Sequence, residues 1–376
     1  MTVSKQSSSK FHLVIQSNSP GELAAWVDPI IKTSQQLLES CFITICLVPC
    51  QYATGQEVKV ARDIESVQQV LSPKQTLLFL VGLARLDKQA TRGAVLCLGG
   101  DPFYSQLLGL RLGFPSSIYT EHRKKPGLCF KHVFYKHHHG DLMHARIAHY
   151  EANAWDRASV LARYHLPDRS YALFFLGSRP SHFLAFSSLV LEMIHYFLSL
   201  QEDMDVIISI APTISDTVLD SLDRSLLGDR IHCLRGHSLD FMKLATCMMS
   251  LPGTNTAEAM YMGLPMVTVL PLNRPDLLAL DGLLGLLGSL PLIGPIIKRV
   301  VLSRWLKKVP FISLPNRLAN KQIVPEWVMH VNATQMAQDF YKFSTNQANL
   351  SRIKQDLQAM DVSKRVDTLI IDTISS

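Results

Sequence analysis

Short apolar runs that alternate with amphipathic stretches constrain the fold of this chain more than any other feature. The runs have the length of β-strands, and several of the stretches between them have the 3.6-residue period of an α-helix. The alternation extends from Phe11 to Lys136 and begins again at Tyr171. Such alternation favours parallel sheets with crossover helices, and its repetition predicts two domains. We therefore predict an α/β fold of two Rossmann-like doubly wound domains followed by C-terminal helices.

The predicted elements fall on either side of a junction at His165–Ser170. We assign residues 1–165 to an N-terminal domain, 166–332 to a C-terminal domain, and 333–376 to helices that pack back across the domains. The predicted strands are Phe11–Gln16, Ile43–Val48, Thr76–Val81, Ala94–Leu98, Ser117–Tyr119, His132–Lys136, Tyr171–Leu176, Asp205–Ile210, Arg230–Leu234, Thr246–Leu251 and Met266–Leu270. The predicted helices are Glu22–Glu39, Phe103–Leu112, Ser181–Leu200, Asp216–Leu226, Leu239–Ala245 and Thr256–Met262.

The composition favours a folded chain over an intrinsically disordered one. The chain has 376 residues, of which 47% are hydrophobic and 18% charged, enough for two domains of ordinary size. Its seven cysteines are odd in number, form no Cys-x-x-Cys pair and lie partly in apolar runs, which is typical of buried free thiols in a reducing compartment. The polar start Met1–Lys10 lacks the apolar core of a signal peptide. We expect a cytoplasmic protein.

The formal net charge of +6 is concentrated in two basic blocks, Arg123–His139 and Lys298–Lys308. Each block either attracts phosphate groups or is an ordinary solvated basic face. We expect no nucleic-acid partner, because aromatic residues are not interleaved with the basic ones in a recognisable module.

The stretch Leu277–Val301 is apolar but contains Asp281 and several Gly and Pro residues. These breaks favour a buried loop, a re-entrant hairpin or an interfacial segment over a straight membrane span. Together with the basic block that follows, Leu277–Lys308 is expected to bind an anionic membrane surface, peripherally and on the cytoplasmic side.

A glycine-threonine loop follows one of the predicted buried strands. Gly253 allows a ligand to approach the main chain, and the N–H groups of Thr254–Thr256 at a helix start favour a phosphate or diphosphate. Glu258, expected in the first helical turn, could accept hydrogen bonds from the hydroxyls of a ribose. A capping box formed by Asn255 and Glu258 explains that pair of residues equally well.

A second loop, Gly177, Ser178 and Arg179, follows the predicted strand Tyr171–Leu176. An arginine at this place could bind a diphosphate through two parallel hydrogen bonds. The alternative is an ordinary surface arginine at a strand end.

Two further strand ends carry carboxylates. Asp101 follows Gly99 and Gly100, and it is either the N-cap of a helix with Pro102 at its first position or a catalytic base that takes a proton from an attacking hydroxyl. Glu22 closes the turn-forming stretch after the first strand and is the second candidate for the base. Adjacent histidines such as His137–His139 cannot all face one ion, so we predict no metal site.

Three stretches of this sequence resemble the lipid-A-disaccharide synthase family, inverting glycosyltransferases of the two-domain GT-B type. The order and spacing of these stretches agree with the family over most of the chain, and the second and third are fairly specific. They are Leu166–Arg169 with Leu176–Arg179, then Gly253–Met260 with Gly263–Val267, and finally Val309–Asn316 with Leu318–Lys321 and Val324–Glu326.

The resemblance implies an enzyme of lipid A biosynthesis that transfers an acylated glucosamine from a UDP donor to a glycolipid acceptor at the cytoplasmic membrane face. It implies neither a cofactor nor a metal, and it leaves a homodimer open. Donor binding would fall to Arg179, Thr254–Thr256, Glu258 and Asn316, and Asp101 would match the carboxylate after the family's fourth strand.

The chain departs from the family where an acceptor would bind. Asn18 replaces an acidic residue of the family's N-terminal motif, the stretch Pro271–Lys308 is longer and more apolar, and Tyr119–Tyr150 is rich in His and Lys. Two alternatives to the transferase therefore remain: another UDP-sugar enzyme of the same fold, such as a 2-epimerase, and a non-catalytic, membrane-associated relative.

Overall fold

In the computed structural model the chain divides into two compact units. One is Met1–Asn153 with Val362–Ser376, and the other is Ala154–Asp361. Within the described residues, each unit is built on one six-stranded sheet in which every pairing is parallel. The described residues are 11–38, 40–50, 55–87, 90–121, 126, 129–222, 227–272, 309–330, 332–360, 369, 372 and 373.

The sheet of the first unit has the strand order β3-β2-β1-β4-β5-β6. This is the Rossmann order, in which the direction of strand succession reverses between β1 and β4. The strands are β1 (Phe11–Ser17), β2 (Cys41–Leu47), β3 (Gln69–Leu71), β4 (Arg92–Cys97), β5 (Ser116–Thr120) and β6 (His132–Tyr135).

Helices cover both faces of this sheet, so its central strands are buried on both sides. One large apolar cluster includes Ile15, Ile30 and Leu142, and Leu369 from the C-terminal end of the chain joins it. A second, smaller apolar cluster includes Phe79 and Leu108. The helices are α1 (Pro20–Glu22), α2 (Asp28–Leu37), α3 (Glu57–Asp63), α4 (Pro73–Leu80), α5 (Pro102–Leu112), α6 (Lys136–His139) and α7 (Leu142–Asn153).

A π-helical segment, Leu23–Val27, joins α1 to α2. Its wider turn keeps Leu23, Ala25 and Val27 buried. Single π turns within helices are frequent at functional sites, and this one begins directly after Glu22.

The prediction of a strand at Thr76–Val81 is wrong, because these residues belong to α4 and the turn after it. The Ser72 hydroxyl accepts a hydrogen bond from the N–H of Gln75, whose side chain accepts one from the N–H of Ser72. This capping box, with Pro73 at the first helical position, starts a helix in a run whose apolar residues alone also suit a strand.

The second unit repeats the Rossmann order. Its sheet runs β12-β11-β10-β7-β8-β9, so the reversal lies between β7 and β10. The strands are β7 (Ser170–Phe175), β8 (Met204–Ile210), β9 (Ile231–Arg235), β10 (Ala245–Ser250), β11 (Met266–Pro271) and β12 (Glu326–Met329).

The helices of the second unit include two in the predicted C-terminal region. Phe340 of the first of these packs against Phe174 of the sheet and Phe197 of the long helix after β7, with ring centroids 5.1 Å apart in both pairs. The helices are α8 (Arg157–Arg163), α9 (Pro180–Leu200), α10 (Asp216–Asp220), α11 (Ser238–Leu244), α12 (Thr254–Tyr261), α13 (Leu314–Ala319), α14 (Ala333–Thr345) and α15 (Gln347–Gln358).

Within the described residues, Phe183–Leu200 of α9 is the one helical stretch whose length and composition would suffice to cross a membrane, with a mean hydropathy of 1.6. Core helices of soluble proteins satisfy the same criterion, and Phe183, Phe186 and Phe197 are fully buried here. The predicted membrane-binding stretch Leu277–Lys308 lies outside the described residues, as do Lys124 and Lys125 of the first basic block.

Candidate functional site

The two loops predicted to bind a sugar nucleotide leave neighbouring strands at the same edge of the second sheet. β7 pairs with β10, and Phe175 lies opposite Ser250 at their carboxyl ends. Paired strands are about 4.8 Å apart. The structure therefore brings Gly177–Arg179 and Gly253–Thr256 side by side at the point where the strand order reverses, which is where open α/β sheets bind their ligands.

The Gly177–Arg179 loop is fixed by its own backbone and by the neighbouring strand. Gly177 has φ +103°, a conformation that favours glycine. The hydroxyl of Thr213, which follows β8, donates to the Ser178 carbonyl. Arg179 is the half-buried N-cap of α9. The loop thus holds Arg179 at the carboxyl edge of the sheet.

The Gly253 loop opens α12 without a side-chain cap. Gly253 is the N-cap residue, and a Cβ placed on it would meet no atom within 4 Å. The Thr256 hydroxyl donates to the Gly253 carbonyl at 2.7 Å and fixes the turn. The N–H groups of Thr254 and Asn255 begin a helix beside open space, an arrangement suited to an anionic group.

The capping-box interpretation of Asn255 and Glu258 is wrong. The helix begins at Thr254, so Asn255 lies inside its first turn rather than at its cap. Glu258 is the fifth residue of the helix, just beyond the first turn in which it was expected, and is only 4% exposed. The Ser238 hydroxyl, at the start of α11, lies 3.5 Å from its Oε2. Glu258 is therefore placed beneath the loop rather than at its surface.

Asn316, predicted to bind the donor, is fully buried and its side-chain amide is fully used within the chain. Its Oδ1 accepts from the N–H groups of Ile323 (2.7 Å) and Val324 (2.9 Å). Its Nδ2 donates to the Val324 carbonyl and to Glu326 Oε1. An amide makes two hydrogen bonds at each end, so this geometry gives Asn316 a positioning role.

Glu326 completes the same network, and sequence reasoning did not single it out. Its carboxylate accepts from the N–H groups of Ile312 and Ser313 and from the Ser313 hydroxyl. These bonds hold Ile312 and the N-cap residue Ser313 in place before α13, which contacts α12. The Ser-Leu-Pro-Asn and Val-Pro-Glu stretches are thus joined by a hydrogen-bond network beside α12, the helix that follows the Gly253 loop.

The first unit gathers its predicted residues at the corresponding reversal, between β1 and β4. Glu22 is held there by the Ser17 hydroxyl at 3.5 Å and the Asn18 N–H at 3.4 Å, both donating to its Oε2. A Cβ on Gly99 would lie 1.9 Å from that oxygen. Only glycine at position 99 leaves room for this carboxylate.

Burial raises the pKa of Glu22, and the hydrogen bonds from Asn18, Ser19 and Ser17 offset part of the rise. A carboxylate with a raised pKa at the end of a central strand has the properties of a general base.

Asp101 is exposed, and its carboxylate accepts from the N–H of Phe103 at 2.9 Å. It is therefore the N-cap of α5, as the first of the two interpretations predicts. Gln16, which sequence reasoning missed, holds this loop in place because its Nε2 donates to the carbonyls of Gly99 (2.8 Å) and Asp101 (3.0 Å). A glutamine inside an apolar strand was the available signal.

Comparisons with known proteins agree with this architecture. No family model matches the sequence. A stretch of 96 residues is 34% identical to the lipid-A-disaccharide synthase of Cellvibrio japonicus (strain Ueda107) and spans 26% of this chain and 19% of that protein.

The fold is similar to that of a UDP-N-acetylglucosamine 2-epimerase, with a TM-score of 0.52 and 11% identity over 98% of this chain and 95% of the other. MurG of Acinetobacter baumannii gives a TM-score of 0.49 and 12% identity over 97% and 99%. At such identities the likeness concerns the fold alone. The chain has two Rossmann-like domains of the GT-B fold class, to which its resemblance to the lipid-A-disaccharide synthase family also points.

Proposed function

We propose that this protein is a UDP-sugar-dependent glycosyltransferase that transfers a hexose derivative, an acylated glucosamine by resemblance, to a lipid acceptor at the cytoplasmic face of a membrane. It does so without a metal or another cofactor. The observation that carries the proposal is the pairing of β7 with β10, because it sets Arg179 beside the uncapped start of α12.

The two loops that this strand pairing brings together are suited to bind the leaving diphosphate. Arg179 supplies a fixed positive charge, and the N–H groups of Thr254 and Asn255 supply hydrogen bonds and the positive end of a helix dipole. Donors aimed at the charge that develops on a leaving group contribute on the order of 3 kcal/mol each to transition-state stabilisation. Gly253 leaves the space that the phosphates need.

The proposed reaction is a single displacement. The acceptor hydroxyl oxygen forms a bond to the anomeric carbon while the bond from that carbon to the diphosphate oxygen breaks, and UDP leaves with the electron pair. The hydroxyl proton goes to a carboxylate. Of the two candidates, Glu22 fits better than Asp101, because burial raises its pKa while the carboxylate of Asp101 is occupied as a helix cap.

The test is incubation with several UDP-sugars and a membrane lipid extract, with UDP release measured and new glycolipids detected by mass spectrometry. We expect UDP release that requires lipid and falls about a hundredfold in Arg179→Ala. Arg163→Ala, which removes an exposed arginine at the end of α8, serves as the control.

Other outcomes of this experiment favour the other functions. A sugar epimerised in the absence of lipid would indicate the 2-epimerase alternative. UDP binding without turnover on any lipid would indicate a non-catalytic relative. A wild-type protein that fails to bind UDP would refute the donor site altogether.

A further inference from the structure

A cavity lies at the edge of the second sheet opposite to the donor loops. Its volume of about 320 Å³ is within the range of sites for small molecules. Its walls are the last turn of α11, the start of β10, the turn between α12 and β11, and one flank of α15. The strands β10 and β11 both begin here, whereas the Gly177–Arg179 and Gly253–Thr256 loops follow the carboxyl ends of their strands. The cavity is therefore distinct from the proposed donor site.

The floor of the cavity is apolar. Met242, Leu264 and Leu350 line it and are almost fully buried. Gly263, in the turn between α12 and β11, has φ +64°, a left-handed conformation that favours glycine. A Cβ there would lie 3.1 Å from Cγ of Gln358, so the turn packs directly against α15. The apolar part of a ligand would thus meet side chains that the fold already holds in place.

The rim of the cavity is polar. Gln347, Ser351 and Lys354 are exposed and have the i, i+4, i+7 spacing of one stripe along α15. Thr246 adds a hydroxyl from β10. Within the described part of the chain, none of these four side chains forms a hydrogen bond or an ion pair with another residue. An apolar floor with a few converging polar groups is typical of a small-molecule site.

Lys354 gives the rim a positive charge that the protein does not neutralise. No acidic residue is among the described residues that line the cavity. The one acidic residue of α15, Asp356, pairs with Arg352 at 2.8 Å. The Lys354 ammonium group is therefore available to an anion.

Lys243 supplies a second ammonium group from the last turn of α11. It donates to the Trp155 carbonyl, an uncharged acceptor, at 2.6 Å. The exposed Asp156 lies near it and caps α8 by accepting from the N–H of Ser159. Two ammonium groups with one exposed carboxylate nearby leave the surroundings of the cavity positive, which favours an anionic ligand.

We propose that this cavity binds a small amphipathic anion. Its phosphate or carboxylate group would meet Lys354 and the hydroxyls of the rim, and its compact apolar body would lie against the floor. Both ends of the segment 245–265 line the cavity, and the middle of this segment is the Gly253 loop. A ligand here therefore contacts both β10 and α12, the two elements that hold the loop, as an effector would. The effector role rests on the proposed function, whereas the binding does not.

Calorimetry of the full chain with phenyl phosphate and with benzoate tests the binding. We expect at least one of them to bind with a dissociation constant below about 1 mM. Inorganic phosphate, which lacks the ring, and benzyl alcohol, which lacks the charge, should bind at least about tenfold more weakly.

Two variants locate the bound probe. Lys354→Glu reverses the charge of the rim and Ser351→Phe fills it, and each should weaken binding at least about tenfold. Both positions are exposed, so thermal unfolding should stay as in the wild type. The matched controls are Lys59→Glu, an exposed helical lysine of the first unit, and Ser188→Phe, an exposed serine of α9, and both should bind the probe as the wild type does.

Competition with UDP separates this site from the donor loops. We expect phenyl phosphate to bind in the presence of saturating UDP, and the dissociation constant of UDP to change at least about twofold with the probe bound, in the wild type and not in Ser351→Phe. An unchanged constant would overturn the effector role.

Three results would overturn the binding site itself: neither probe binds, both rim variants bind as the wild type does, or UDP displaces the probe. A protein that binds the probe but not UDP would refute the proposed donor site and support the cavity.

Discussion

At the scale of single residues, the burial of Glu22 affects both the stability of the fold and the proposed chemistry. Because burial raises its pKa, the folded chain holds this proton more tightly than the unfolded chain does. The stability of the fold therefore falls as pH rises from the ordinary carboxyl pKa through the raised one. The same ionised carboxylate is the form that a general base requires.

Replacement of Glu22 by Gln should separate these two effects. The variant is expected to match the wild type in stability at acidic pH and to exceed it near neutral pH, because glutamine never ionises. Its UDP release should fall by about a hundredfold or more. Thermal unfolding between pH 4 and pH 8 measures the first effect. Glu192→Gln, an exposed position on α9, is the control, and identical pH profiles for Glu22→Gln and wild type would contradict the prediction.

Gly253 provides a substitution that tests the pocket without disturbing the fold. Its φ of 167° is extended and a Cβ there would meet nothing within 4 Å, so Gly253→Ala should unfold at the same temperature as the wild type or slightly above it. If phosphates occupy this space, the affinity for UDP should fall by about tenfold. Gly228 is equally open and supplies the matched control Gly228→Ala. Unchanged affinity in Gly253→Ala, measured by calorimetry, would remove the diphosphate from this loop.

Asn316 tests whether the Ser-Leu-Pro-Asn stretch holds the structure or the ligand. In Asn316→Asp, a carboxylate oxygen replaces the amide nitrogen that donates to the Val324 carbonyl and to Glu326 Oε1. The new carboxylate oxygen then faces two other hydrogen-bond acceptors with no proton to share. The free energy of unfolding should therefore fall by about 3 kcal/mol. Urea denaturation checks this, with the exposed Asn153→Asp as the control. A stable Asn316→Asp protein that no longer binds UDP would instead restore the donor-binding role.

At the scale of elements, the cap of α5 distinguishes between the two candidate bases. Asn caps helices as well as Asp does, so Asp101→Asn should keep both stability and turnover, whereas Asp101→Ala should lose about 1 kcal/mol of stability. Thermal unfolding and UDP release measured on both variants check this. A stable but inactive Asp101→Asn protein would return the catalytic role to Asp101.

The alternation of apolar runs predicted most elements because a parallel strand buried on both faces is a short continuous apolar run. Periodicity failed where a run was ambiguous or very short. Thr76–Val81 is apolar enough for a strand, and the deciding signal was the Ser72–Gln75 capping box beside it. The strand β3 has only three residues, and β12 begins with Glu326, a charged residue that accepts a hydrogen bond from the N–H of Ser313 before α13.

The candidate site was predictable to the level of its loops and not of its side chains. Glycine and threonine after a buried strand identified the Gly253 loop, and strand pairing then placed the Arg179 loop beside it. Whether a polar side chain faces a ligand or the protein depends on contacts distant in sequence. Gln16 is conspicuous as a glutamine inside an apolar strand, but the sequence does not reveal that its partners are Gly99 and Asp101, more than eighty residues away.

At the scale of the whole molecule, the cysteines report on the two units separately. Cys46 and Cys97 are buried in the first sheet and Cys247 in the second, whereas Cys129 is exposed. Burial raises the pKa of the thiols of Cys46 and Cys247 to about 12 and that of Cys97 to about 11. At pH 8 these three thiols are protonated as well as inaccessible, so they should react only when their own sheet opens.

Pulse labelling with a thiol reagent across a urea series, followed by peptide mass spectrometry, should therefore modify Cys129 at once and the three buried thiols only in an unfolding transition. Asn316→Asp weakens the hydrogen-bond network around Asn316 in the second unit. In this variant the urea concentration at which Cys247 is labelled should fall by more than the concentrations at which Cys46 and Cys97 are labelled. The described apolar clusters that hold Cys46 and the strands around Cys97 contain residues of the first unit alone, so the substitution removes no packing contact within these clusters. Equal shifts for all three thiols would show instead that the two units unfold as one.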